Sequence, residues 1–134
     1  MRDRGDLVRG WLKKARHDRV TAEREMETEN PLTDIACFHA QQAVEKGLKA
    51  VLTAEGITPP RTHVLEDLGL LAARRMPELE RFVEELAQLT PYAVATRYPE
   101  FAEPDLHEAE VAVGIAGRVL ALIDSALQDK GFQR

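Results

Sequence analysis

The chain has 134 residues and a formal net charge of -5, enough for one domain with a hydrophobic core and too few for two. Hydrophobic residues make up 44%, charged residues 31% and aromatics 5%, so a disordered chain is excluded and the core must be built from Leu, Val, Ile and Ala. The acidic balance argues against a general nucleic-acid coat protein but leaves room for a local basic cleft. A single cysteine, Cys37, excludes an internal disulfide and a Cys-cluster metal site and fits a reducing compartment. Polar residues follow Met1 at once, and the longest nearly apolar run, Val111 to Ile123, is too short to span a membrane. The expectation is a cytoplasmic protein that does not associate with membranes.

Strand signals are almost absent, and helical spacing dominates from end to end. A first helix is predicted over Asp6–Glu29. Its stripe of Trp11, Ala15, Asp18, Ala22 and Met26 is interrupted by the acid, either a boundary residue bonded to a neighbour or a buried acid orienting an Arg. Asn30-Pro31 breaks the chain, with Asn30 suited to N-cap a second helix over Leu32–Ala54. Ala36, Ala40, Ala43, Gly47 and Ala54 are small enough to admit a close neighbour, and Phe38, Val44, Leu48 and Val51 supply bulk. Gly56 is a C-terminal stop. After a stiff Pro59-Pro60 loop, Thr62 or His63 caps a third helix over Val64–Arg75, with His63 and Glu66 at capping-box spacing. Pro77 opens a fourth helix to Leu89. Thr90–Pro104 is irregular, and long loops of this kind are often functional. A fifth helix, Asp105–Gln128, is apolar on two sides, so Val111, Ile115 and Leu122 are expected to meet a second copy or a partner protein unless the helix is simply central. Residues Asp129–Arg134 are expected to fray.

The chemistry is defined partly by what is missing. There is no phosphate-binding glycine loop, no HExxH, and only one serine. The four histidines are far apart in sequence, and neither a metal nor a cofactor is expected. What remains is a polar row on the second helix: His39, Gln42, Lys46 and Lys49 at i, i+3, i+7 and i+10, with Gln41 and Glu45 beside it. Lysines can hold phosphates, glutamines a base edge or phosphate, and a histidine can move protons near neutral pH. A solvated face with salt bridges is the alternative. Arg97 and Tyr98 precede Pro99 in the irregular segment, where Arg97 can grip a phosphate and Tyr98 can stack on a base, or Arg97 can pair with Glu100 or Glu103.

The segment CFHAQQAVEKGLKAVL at 37–52, followed by Gly56, the proline-rich spacer, THVLEDL and TRYPE, resembles the HEPN domain over nearly the whole chain. The resemblance implies a single domain over residues 1–134, an all-α, up-and-down antiparallel bundle of about five helices that is typically a homodimer. It also implies a two-component, toxin–antitoxin type system with a nucleotidyltransferase partner and RNA or nucleotide as ligand. His39, Gln42, Lys46, Arg97 and Tyr98 would then be the binding residues. Active HEPN toxins are metal-independent endoribonucleases with an Arg followed by four to six residues and a His. Here nine residues separate Arg97 from His107, so that spacing is absent. In the enzyme alternative Arg97 steadies the scissile phosphate and His107 deprotonates the 2′-hydroxyl, provided the loop between them brings them together. The third alternative is a noncatalytic interaction module using the fifth helix.

Overall fold

The computed structural model describes residues 3–132, which form five α-helices, several short 3-10 turns and no strand. The all-α bundle of five helices that the resemblance implied is the fold, although α5 runs parallel to α2 rather than antiparallel to it. Helix α1 spans Arg4–Met26 and begins earlier than its apolar stripe suggests, because Asp3 and Asp6 close a reciprocal capping box. Helix α2 spans Thr33–Ala54, and its start corrects the expectation for Asn30. The N-cap position is Leu32, which has no capping side chain. Its backbone N–H donates to Glu25 Oε2 at 3.1 Å, and Thr33 Oγ1 donates to the Pro104 carbonyl at 2.7 Å. The far end behaves as read: Gly56 adopts φ +74°, and Ile57 N–H closes onto the Leu52 carbonyl at 2.9 Å.

Helix α3 covers Leu65–Ala73, then a 3-10 turn at Pro77–Phe82 leads into α4 at Val83–Leu89. Neither Thr62 nor His63 is the N-cap of α3; Val64 is, again without a capping side chain. Thr90 does that work from across the hairpin: its Oγ1 accepts from Leu65 N–H at 2.9 Å and donates to Glu66 at 2.6 Å. That leaves His63 free to bond elsewhere. The 90–104 segment contains two short 3-10 turns, Thr90–Ala93 and Ala95–Arg97. Asp105 then caps α5, Leu106–Asp129, by accepting from Glu108 N–H at 2.7 Å. The expected fraying is not seen at residues 129–132. Gly131 at φ +92° lets Phe132 N–H reach the Leu127 carbonyl at 2.8 Å, and Phe132 packs on the core. Gln133 and Arg134 lie outside the described residues.

Helix α2 lies at the centre. Ala36, Ala40, Ala43, Leu48 and Leu52 are fully buried, and a Cβ on Gly47 would overlap Leu120 and touch Ile123 of α5. Against α1 it runs antiparallel, with Arg4 beside Gly56, Lys49 over Trp11 and Lys46 on Asp18. α5 then comes back parallel to α2, joined near its start by Thr33 to Pro104 and near its end by Glu55 to Lys130. Ile115 is 1% exposed and belongs to the core of the single chain, which corrects its assignment to an outer interface. Val111 is exposed and Leu122 half-buried. Among the described residues, no helix is long and apolar enough to cross a membrane.

Candidate functional site

The polar row on α2 is not a wet surface. Asp18, nearly buried on α1, receives His39 Nδ1 on one oxygen at 2.8 Å and Lys46 Nζ on the other at 2.6 Å. An ionised carboxylate only accepts, so Nδ1 carries the proton and Nε2 of a neutral ring keeps its lone pair. Asp18 is thus buried and bonded to its neighbours, and those neighbours are a histidine and a lysine rather than an arginine. Further along the helix, Glu45 receives His63 Nδ1 at 2.6 Å and Lys49 Nζ at 3.0 Å. Gln41 donates to the His63 carbonyl at 3.1 Å, and Gln42 donates to Gln41 Oε1 at 2.7 Å. The row forms two hydrogen-bonded clusters, one joining α1 to α2 and the other joining α2 to the loop before α3. Burying these groups is tolerable because each finds a partner.

Arg97 departs from both expected pairings. Its guanidinium lies 4.7 Å from the centre of the Phe38 ring, and it makes no ion pair among the described residues. Phe38, expected in the core, is half-buried and serves as a platform instead. The His39 ring meets the Phe38 ring edge-on, with centroids 5.3 Å apart. Arg97, Phe38 and His39 thus form a stack that continues through Asp18 to Lys46. On its other side Arg97 lines a surface pocket of about 360 Å³ with Tyr98, Phe101 and Asp34, and Tyr98 is exposed there.

His107 is elsewhere. It lines a separate, mainly apolar pocket with Leu89, Tyr92, Glu108 and Val111, and Arg97 is not among the residues around it. Within one chain the two residues line different pockets, and no contact joins them among the described residues. In the same pocket as His107, burial pushes the Tyr92 phenol up to about 12, with Cys37 and Glu108 adding to the shift. Burial likewise pushes the Cys37 thiol up to about 12.

The sequence reading brought together His39, Gln42, Lys46 and Arg97 but missed two members. Glu45 was noted only as a neighbour of the row, although its i+4 spacing to Lys49 marks a helical ion pair. His63 was read as a cap, despite being a poor residue for one.

The HEPN domain family model matches residues 8–126. The crystal structure of TT1696 from Thermus thermophilus aligns with a TM-score of 0.70 and 32% identity, covering 88% of this chain and 96% of that one. No curated protein matches significantly. With the bundle, the α2 motif and a family match over most of its length, this chain belongs to the HEPN domain family.

Proposed function

We propose that this HEPN-family protein binds RNA or a nucleotide in the polar cleft along α2, as one component of a toxin–antitoxin type system with a nucleotidyltransferase partner. The supporting observation is the convergence of His39, Lys46 and Arg97 around Asp18 and the Phe38 ring, with Arg97 in no ion pair among the described residues. A guanidinium held on an aromatic face, with no carboxylate to displace, is ready for a phosphate. Tyr98 offers an exposed ring for a base, and Gln42 a polar edge. The lysines contribute less than their charge suggests, because Asp18 and Glu45 already neutralise them.

A second copy docks, in this reading, on the exposed flank of α5 through Val111 and Leu122. The endoribonuclease alternative has no geometric support within one chain, since Arg97 and His107 face different pockets. Titration of nucleotides and short RNA against Lys46→Ala and Arg97→Ala tests the binding reading. Both substitutions should weaken binding, Arg97→Ala more. Unchanged affinity in both would leave these residues purely structural.

A further inference from the structure

Helix α2 carries the same polar unit twice. In each, one nearly buried carboxylate holds a histidine Nδ1 on one oxygen and a lysine Nζ on the other: Asp18 with His39 and Lys46, Glu45 with His63 and Lys49. In each, the imidazole Nε2 has no partner among the described residues and the ring reaches solvent, with 28% of the side chain exposed at His39 and 62% at His63. Lys49 is more deeply covered, against Trp11, so His63 is the outward group of its unit.

The charge arithmetic is the same for both units. With a neutral imidazole, carboxylate and lysine cancel and the unit sums to zero. With a protonated imidazole it carries +1. A phosphate is therefore attracted to a unit whose histidine is protonated, and a bound phosphate in turn favours that protonation. Facing His39 are Asp18 of α1, Lys46 of α2 and, across the Phe38 ring, Arg97. Facing His63 are Glu45 and Lys49 of α2. The two histidines sit on different elements, His39 on α2 and His63 in the loop before α3, and each is held by its own carboxylate. Two phosphates of a flexible strand can engage the two units separately.

We propose that the row is a two-seat phosphate site for a single-stranded oligonucleotide, and that each seat fills with uptake of a proton by its histidine, His39 or His63. The proposal rests on the reading of this row as a ligand cleft. It adds the ligand class and a proton linkage.

Isothermal titration with hexauridylate and with uridine monophosphate, between pH 6 and 8 in two buffers of different ionisation enthalpy, tests it. Hexauridylate should bind with net proton uptake, its affinity falling as pH rises by about tenfold per pH unit for each proton taken up. The mononucleotide should bind at least tenfold more weakly by this account. His39→Asn, which keeps an N–H for Asp18, and His63→Asn, in an exposed loop, should each reduce the uptake at an unchanged unfolding midpoint. Binding without proton uptake, or uptake unaffected by either substitution, overturns the proposal and leaves the cleft intact as a binding site. Equal affinity for the mononucleotide overturns the two-seat geometry. No oligonucleotide binding at any pH overturns both this proposal and the reading beneath it.

Discussion

At Asp18 a histidine and a lysine converge on one carboxylate that the bundle has nearly removed from water. Such a charge is tolerated because both oxygens are occupied, and truncating it strands Lys46 and His39 with no anion. Breaking a buried pair from one side typically costs about 3–5 kcal/mol. Asp18→Ala should accordingly lower stability by about 3 kcal/mol in urea-induced unfolding, far more than loss of a surface ion pair. A cost under about 1 kcal/mol would place Asp18 among ordinary surface pairs. Cys37 is the opposite case, a thiol whose burial disfavours its charged form. With its pKa pushed up to about 12, almost no thiolate exists at pH 8. The folded protein should therefore resist an aromatic disulfide reagent at that pH, and the thiol should react fully once the protein is denatured. Rapid labelling of the native protein would contradict the burial.

Among the elements, α2 was the most legible and its partners the least. Small residues at 36, 40, 43 and 47 recur at helical spacing, so a close neighbour could be anticipated from the sequence alone. The neighbour at Gly47 is α5, and the approach leaves no room for a methyl group beside Leu120. Gly47→Ala should cost about 1–3 kcal/mol through overpacking, even though alanine is the better helix former. A stabilised Gly47→Ala variant would show that α5 is not seated as described. The row of His39, Gln42, Lys46 and Lys49 was equally visible as a stripe, but its character was not. Whether it is wet or half-buried depends on Asp18, 21 residues from His39, and on His63, 18 residues from Glu45. Tertiary packing sets such pairings, and helical periodicity carries no trace of them. The cap of α3 failed to show for the same reason, since Thr90 reaches it from across a hairpin.

At the scale of the molecule, helix periodicity gave five helices in order, and the family resemblance correctly supplied the bundle. Periodicity did not separate the two apolar sides of α5. Ile115 closes the core while Val111 stays exposed, so an interface can use only part of the face first drawn for it. Val111→Glu should convert a dimer to a monomer by solution mass without lowering the unfolding midpoint. A wild-type protein that is already monomeric would dispose of the self-association. The proposed binding along α2 is best tested through Arg97, which rests on the Phe38 ring and whose removal spares the core. A phosphate contact made by a charged donor is worth about 1.5–3 kcal/mol. In a fluorescence anisotropy titration of labelled single-stranded RNA at low salt, Arg97→Ala should bind at least tenfold more weakly than the unaltered protein. Equal affinity in the two titrations would contradict the claim that α2 and its arginine form a nucleic-acid cleft.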